Sequence, residues 1–373
     1  MVVVGTRPEA IKMAPVVAAL RERGVRVLVT VTAQHRNMLD QVLDLFGITP
    51  DRDLDLMRPG QSLGDLFSSI LLGMQEVLED LRPKMVLVHG DTSTTLATAL
   101  ASFYARIPVA HIEAGLRTGD LGAPYPEEMN RRLVTPLSVL HFSPTESARA
   151  NLIAEGCQPD CIEVTGNTVI DALQLVSARI SDEAAFRSRA EAVLPPALDP
   201  SKKLVLVTGH RRENHGEGLD NICRALRTLA QRGDVQIVYP VHPNPNVLGS
   251  VEGYLDGVEG ILLTPPLDYA AFICLLQRCT LVITDSGGIQ EEAPALGKPV
   301  FVTRSTSERP EGIEAGTARL VGTNHDTIIM AVTKVLDDDA AYESMSRAHN
   351  PFGDGHASSR IADRIHRQLS NSH

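Results

Sequence analysis

The segment Thr284-Asp285-Ser286-Gly287-Gly288-Ile289-Gln290-Glu291-Glu292 follows the apolar run "LVI" directly. Small residues where a strand gives way to a helix let a phosphate approach the backbone, and the first amides of that helix supply donors at the positive end of its dipole. Ser286, Gly287 and Gly288 therefore suit a diphosphate, although a plain strand-to-helix turn would use the same residues. Glu292 lies one turn past Gly288, about 5.4 Å along the axis, within reach of vicinal ribose hydroxyls. Glu291 points elsewhere and reads as solvated.

Cations occupy similar places: Arg7 and Lys12 in "GTRPEAIK", His210 and Arg211 in "TGHRREN", and Arg309 in "TSERPE". Each alone reads as a surface charge, but together, at the ends of expected strands, they suggest one anion site. Acids collect on another wall: Asp91 ends "LVHGD", Glu113 ends "AHIE", and Glu127 or Glu128 lies in "PYPEEMNRR" with Arg131 one turn on. Three carboxylates at one crevice repel, which raises at least one pKa and makes a proton acceptor or donor available near neutral pH. The plainer readings are a helix N-cap for Asp91 and a first-turn acid for Glu127. His89 and Asp91, like His111 and Glu113, are spaced by two on one strand face, as metal ligands can be. Strand-buried histidines are more often core residues, so no metal is expected. None of the loops after strands spells G-x-G-x-x-G, so no nicotinamide cofactor and no hydride transfer is expected either.

To position these residues the chain offers strands alternating with helices. "VVV", "VRVLVTVTA", "KMVLVHG", "VAHIEAG" and "VLHFSPT" alternate with helical spacing over the segment after Arg7, near 62–82, over 92–105 and up to Gly156. A second series runs "KKLVLVTG", helix 217–232, "VQIVYPVHP", "GILLTPP", helix near 269–277, "TLVITDSGG", helix 289–296, "KPVFVTR" and helix 325–337. Alternation of this kind implies right-handed βαβ units and parallel sheets covered on both faces. The expected fold is α/β with two doubly wound Rossmann-like domains, a length of 373 residues being ample for two cores. The first domain spans 1–170, the stretch 171–203 is a connector, the second domain spans 204–354, and an amphipathic helix at 355–373 ends the chain.

A formal charge of −11 argues against nucleic acid or an anionic membrane as the main partner. The N-terminus lacks a charged leader ahead of an apolar stretch and no segment approaches bilayer-spanning length, so a cytoplasmic protein is expected. Five scattered cysteines favour neither a disulfide framework nor structural zinc.

The motifs "GTRPEAIKMAP", "VTAQHR", "LVHGDT", "HIEAGLRTGD", "PEEMNRR", "HFSPTE", "TGNTVIDAL", "TGHRREN", "YPVHPNP", "TDSGGIQEEAPALGKPV", "TSERPEGIEAGT" and "NPFGDG", in this order over nearly the whole chain, closely resemble the bacterial non-hydrolysing UDP-N-acetylglucosamine 2-epimerases. The resemblance implies a glycosyltransferase-B type fold with the active site in the cleft between the domains and the last helix packing back on the first. It also implies a homodimer that interconverts UDP-N-acetylglucosamine and UDP-N-acetylmannosamine for surface polysaccharide synthesis, by eliminating UDP to a glycal and adding it back. Carried over by motif, Arg7, Lys12, Asp91, Glu113, His210, Leu267, Phe272, Ser286, Gly287, Gly288, Glu292 and Arg309 match substrate contacts. Asp91, Glu113, Glu127, Arg131 and His210 match residues implicated in catalysis. Gln34, His35, Arg211 and His242 match a second pocket where several relatives bind UDP-N-acetylglucosamine as an activator. Leu267 stands where some relatives have glutamine, and Asn37 and Gly60 stand where those with the activator pocket have glutamine and arginine, which weakens the case for that pocket. The competing readings are a hydrolysing epimerase, a retaining UDP-sugar glycosyltransferase, and a nucleotide-sugar sensor with no use for the three acids.

Overall fold

The computed structural model describes residues 1–32, 36–58, 60–209, 211–307 and 309–370. The chain forms two compact units, Met1–Ala172 with Phe352–His373, and Leu173–Pro351. In the first unit the elements run β1 (Val2–Val4), α1 (Arg7–Glu22), β2 (Val29–Val31), α2 (Arg36–Leu45), β3 (Arg52–Asp53), α3 (Leu63–Leu81), β4 (Val86–His89), α4 (Ser93–Tyr104), β5 (Val109–Ile112), α5 (Glu127–Val134), β6 (Leu140–Ser143), α6 (Glu146–Ala154) and β7 (Ile162–Val164). Helix α7 (Thr168–Asp182) spans the boundary, and α8 (Ala184–Ala192) follows. The second unit continues β8 (Lys203–Thr208), α9 (Glu217–Ala230), β9 (Val235–Pro240), α10 (Pro245–Leu255), β10 (Ile261–Thr264), α11 (Tyr269–Arg278), β11 (Leu281–Thr284), α12 (Gly287–Ala295), β12 (Val300–Val302), α13 (Pro310–Glu314), β13 (Ala318–Leu320), α14 (His325–Asp337) and α15 (Asp339–Ser346), and α16 (Ala357–Ser370) closes the chain.

Both sheets are parallel throughout, ordered β3-β2-β1-β4-β5-β6-β7 and β10-β9-β8-β11-β12-β13. Each is a doubly wound Rossmann-like sheet whose order reverses once, between β1 and β4 in the first unit and between β8 and β11 in the second. Ligands of such sheets lie outside the carboxyl ends of the strands at that reversal. Helices on both faces leave no solvated side, so the strands are valine-rich runs such as Val2-Val3-Val4, at most 2 % exposed, instead of alternating ones. No helix among the described residues is long and apolar enough to cross a membrane.

Two segments differ from the sequence pattern. The run "VRVLVTVTA" yields only three strand residues, because its neighbour β1 offers a three-residue ladder. Helix α12 begins at Gly287 and not at 289, since Ser286 adopts the extended N-cap backbone and the glycines turn helical behind it. The stretch 171–203, taken from sequence as a connector, is helical up to Ala192, in α7 and α8. Helix α16 lies against α1, with Arg23 donating to Asp363 Oδ1 and to Ser359 Oγ, each at 2.6 Å.

Candidate active site

In the first unit, "GTRPEA" places Thr6 as N-cap of α1 and Glu9 at the third helical position, a complete capping box. Glu9 is 2 % exposed, yet its carboxylate does more than cap. Oε2 accepts from the Gly5 amide at 2.9 Å, the Thr6 amide at 2.7 Å and the Thr6 hydroxyl at 2.8 Å, while Oε1 accepts from Thr92 Oγ1 at 2.6 Å and Thr95 Oγ1 at 3.2 Å. Burial pushes this carboxyl up, opposed by the donors around it. The loop after β1 is where a doubly wound domain usually offers amides to a phosphate. Here those amides are spent on the protein's own carboxylate.

The next two strand ends carry the acids. Thr92, not Asp91, caps α4, its side chain accepting from the Thr95 amide at 3.2 Å. Asp91 is thereby released to pair with Arg131: Arg131 Nε donates to Asp91 Oδ2 at 3.1 Å and its Nη2 pairs with the same oxygen. Asn130 Nδ2 fixes the Asp91 carbonyl at 2.8 Å. Glu113, just past β5, has a φ of 61°, a left-handed backbone that a non-glycine residue adopts at a cost of about 1–3 kcal/mol. Its carboxylate pairs with Lys12 of α1 and accepts from Asn167 Nδ2 at 2.8 Å, with His89 Nε2 at 3.8 Å. It also borders Gly90, where a Cβ would lie 3.6 Å from Glu113 Oε1. The two acids thus sit at neighbouring strand ends, each matched to its own cation, where the sequence suggested mutual repulsion.

Helix α5 separates its two acids. Glu127 opens the helix, half buried, and makes no side-chain hydrogen bond or ion pair among the described residues. Glu128 is fully buried, accepts from the Thr118 amide at 3.1 Å and the Gly119 amide at 3.3 Å, and pairs with Arg131 Nη1 at 3.2 Å. Glu128 is the scaffold that aims Arg131 at Asp91. Arg7, the first residue of α1, is half buried.

The histidines of "VLVH", "VAHI" and "VLHF" form a buried row behind this wall, with His111 and His141 in register on β5 and β6. His89, His111 and His141 are 3 %, 0 % and 3 % exposed, and burial holds their imidazoles down to about 4, 3 and 4. They are core residues: His111 Nε2 lies 2.7 Å from the Gly90 carbonyl.

In the second unit Ser286 stands at the N-cap of α12 without using its side chain as a cap, its own amide donating to Thr284 Oγ1 at 2.9 Å. A Cβ at Gly288 would meet nothing within 4 Å, so the helix start opens onto free space. Glu292, 6 % exposed, is oriented by Tyr269, whose hydroxyl donates to Oε1 at 2.8 Å. Glu291 corrects its sequence reading: it is 1 % exposed, because Arg309 folds onto α12 and pairs with it. A latch surrounds that pair, Gln290 Nε2 donating to the Ser286 carbonyl at 3.2 Å, Ser307 Oγ to Gln290 Oε1 at 2.6 Å, and the Arg309 amide to Ser307 Oγ at 3.0 Å. Beneath it, buried Asp285 accepts from the Arg211 amide at 2.9 Å and from Asn214 Nδ2 at 3.2 Å. Leu267 and Phe272 flank the start of α11, both partly buried. His242 is exposed and its Nδ1 accepts from the Asn244 amide at 3.1 Å.

The first unit therefore gathers Lys12, Asp91, Glu113 and Arg131, and the second gathers Ser286, Gly287, Gly288, Glu292 and Arg309. Gln34, His35 and His210 lie outside the described residues. Sequence reasoning passed over Glu9 and Asn167, and named Glu128 only as an alternative to Glu127. Glu9 carried a signal in the T-x-x-E spacing, and Asn167 in standing before the helical run "TVIDAL". Glu128 carried a partial one in its i, i+3 and i, i+4 spacing to Arg131 and Arg132, while its amide donors, Thr118 and Gly119, come from a separate loop.

A family model described as UDP-N-acetylglucosamine 2-epimerase matches residues 18–366. A relative from Yersinia pestis named UDP-N-acetylglucosamine 2-epimerase is 55 % identical, over 97 % of this chain and 96 % of its own. A crystal structure of UDP-GlcNAc 2-epimerase from Neisseria meningitidis bound to UDP-GlcNAc has a TM-score of 0.92 at 46 % identity, covering 98 % of this chain and 99 % of the other. The enzyme of that name from Methanocaldococcus jannaschii, in complex with UDP-GlcNAc and UDP, has a TM-score of 0.83 at 32 % identity, with 98 % and 99 % covered.

Proposed function

The chain belongs to the UDP-N-acetylglucosamine 2-epimerase family, and from that premise we propose that it interconverts UDP-N-acetylglucosamine and UDP-N-acetylmannosamine without releasing free sugar. Carbon 2 of the hexose bears an acetamido nitrogen and is not next to a carbonyl, so its proton is too weakly acidic for simple removal and return. Loss of that proton together with cleavage of the carbon 1–oxygen bond gives a glycal and UDP. Protonation of carbon 2 from the other face and attack of the UDP oxygen on carbon 1 then give the epimer, and atoms balance without any cofactor.

The chemistry asks for proton-transfer groups beside carbon 2 and a grip that keeps UDP through departure and return. Asp91, Glu113 and Glu127 share the proton transfers, with Arg131 and Lys12 stabilising the first two as carboxylates and His210 beside the leaving phosphate. The amides at Gly287 and Gly288, with Arg309 held by Glu291, take the diphosphate, Glu292 takes the ribose, and Leu267 and Phe272 flank the base; Arg7 adds a further cation. The reaction also requires that water be kept from the glycal. The observation that carries the reading is Glu113, a partly buried acid in a costly left-handed backbone, its strand end adjoining that of Asp91. Purified protein incubated with UDP-N-acetylglucosamine in heavy water should give both epimers deuterated at carbon 2. Free N-acetylmannosamine would show hydrolysis instead, and epimers without deuterium would exclude this route.

The reaction belongs in the cytoplasm, feeding surface polysaccharide synthesis. Leu72 on α3, Phe103 and Tyr104 on α4 and Met129 and Leu133 on α5 are exposed apolar side chains of the first unit, a surface suited to a second copy. Light scattering of wild type and Phe103→Arg tests the homodimer; identical masses would remove this face from consideration.

A further inference from the structure

Asn167 has two engagements that its sequence context does not suggest together. It stands immediately before α7, and its Oδ1 accepts from the Val169 amide at 3.1 Å, the ordinary work of an N-cap. That bond fixes which end of the side-chain amide is which, because only the oxygen can face a backbone N–H. Nδ2 is therefore the atom 2.8 Å from Glu113 Oε2, and it can only donate. At 2 % exposure the contact is shielded from water.

The residue is held from behind as well. Its backbone amide donates to the Phe352 carbonyl at 2.7 Å, where the chain returns to the first unit. Gly166, at φ 87°, and Gly353, at φ 138°, let the two backbones touch: a Cβ on Gly166 would sit 3.1 Å from Gly353 Cα, and one on Gly353 3.3 Å from the Asn167 nitrogen. Phe352 is 1 % exposed, and Asp171 binds the returning segment again by accepting from the Ser358 amide at 2.7 Å and its hydroxyl at 2.5 Å. A cap needs none of this. A device that must aim one hydrogen at one carboxylate oxygen does.

We propose that Asn167 is a positioning residue for the epimerisation, its side-chain amide setting the direction of the Glu113 carboxylate while the returning chain at Phe352 fixes Asn167. The proposal rests on the reading of Glu113 as a proton-transfer group. Among the described residues, the titratable groups facing that carboxylate include Lys12 from α1 and His89 from β4. Lys12 supplies charge without fixed direction, being a rotatable ammonium, whereas the planar amide of Asn167 supplies direction without charge.

The test exploits the double engagement. Asn167→Asp and Asn167→Ser both keep a good N-cap, since aspartate and serine cap about as well as asparagine, but neither can donate to Glu113 as Nδ2 does. The thermal midpoint of Asn167→Ser should stay close to wild type, whereas Asn167→Asp should lose some stability at neutral pH because its carboxylate faces Glu113. The kcat should fall at least about tenfold, equivalent to about 1.4 kcal/mol of barrier, while KM stays within about threefold. In Asn167→Asp the acid limb of the pH–rate profile should also move to higher pH, because a second carboxylate now faces Glu113, and in Asn167→Ser it should move less. Folded variants with wild-type kcat and pH profile would overturn the proposal. So would a loss of activity in Asn167→Ser that follows its thermal midpoint, or an Asn167→Ser that fails to fold, since the amide would then be structural. Deuterium incorporation by the wild type is measured first. Its absence defeats the reading of Glu113 itself, and its presence with unaffected variants defeats only the role of Asn167.

Discussion

Acid should unfold the first unit well before the second. His89, His111 and His141 are buried, and burial holds their imidazoles down to about 4, 3 and 4, against an ordinary 6.5. Near pH 5 the folded unit binds almost no proton at these sites, whereas the unfolded chain binds nearly one at each. Stability therefore falls as pH drops through the unfolded value of about 6.5, and the loss continues until the depressed folded values are reached. Each histidine costs about 2 kcal/mol by pH 5, from roughly 1.5 pH units at 1.36 kcal/mol each, or about 6 kcal/mol for the three. That is comparable with the whole stability of many domains, roughly 5–15 kcal/mol. Glu9 and Asp171 act in the opposite sense, since burial raises their carboxyls and the native state takes up their protons first. A difference measurement removes them: His141→Gln should flatten the stability loss between about pH 8 and pH 5 by about 2 kcal/mol. Urea unfolding at each pH, read unit by unit through pulse-labelled hydrogen exchange at one fixed pH, reports both quantities. In the second unit no described histidine is buried, so it should hold. A first unit equally stable at pH 7 and pH 5, or a variant with the wild-type slope, would refute the reasoning.

Other consequences are open to measurement. Glu113→Gln and Asp91→Asn should each lower kcat by about 10²–10⁴ and leave UDP affinity, by calorimetry, nearly unchanged; a wild-type kcat in either would remove that residue from the proton transfers. Gly288→Ala should stabilise the second unit by about 0.5–1 kcal/mol, as alanine does within a helix, yet weaken UDP binding at least about tenfold, and undiminished affinity would place the diphosphate elsewhere. Glu291→Ala leaves a buried Arg309 without its carboxylate and should cost about 3–5 kcal/mol in urea melts; a cost below about 1 kcal/mol would mean that the pair is solvated. Assays started from pure UDP-N-acetylmannosamine should not accelerate with a trace of UDP-N-acetylglucosamine, since Asn37 and Gly60 replace the glutamine and arginine of activated relatives; clear stimulation would restore an activator pocket at Gln34, His35, Arg211 and His242.

What the sequence disclosed depended on whether a signal was local. Alternating strand and helix patterns, with glycines at the turns, gave two parallel sheets, and the strand-end rule located Asp91, Glu113 and Ser286 in advance. Properties set by distant partners stayed hidden. Glu291 looked solvated because nothing near it announces that Arg309, 18 residues on, folds back to pair with it. Asp91 looked like a cap because the capping preference of an aspartate is local, whereas its actual partner, Arg131, is 40 residues away. The left-handed backbone of Glu113 has no counterpart in residue type, since glycine would be the default there. The repulsion expected among the acids assumed bare carboxylates, and Lys12 and Arg131 arrive from two other helices to prevent it.

The carboxylate of Glu9 answers why two sheets that share the same order over six strands need not bind alike. An engineer wishing to graft a nicotinamide coenzyme onto the first sheet would gain little by writing a glycine fingerprint over residues 5–10, because an internal anion already sits where the pyrophosphate would rest. The graft would have to evict that anion and reassign the hydroxyls of Thr92 and Thr95. The same architecture thus recurs with one copy's phosphate loop already occupied by its own side chain.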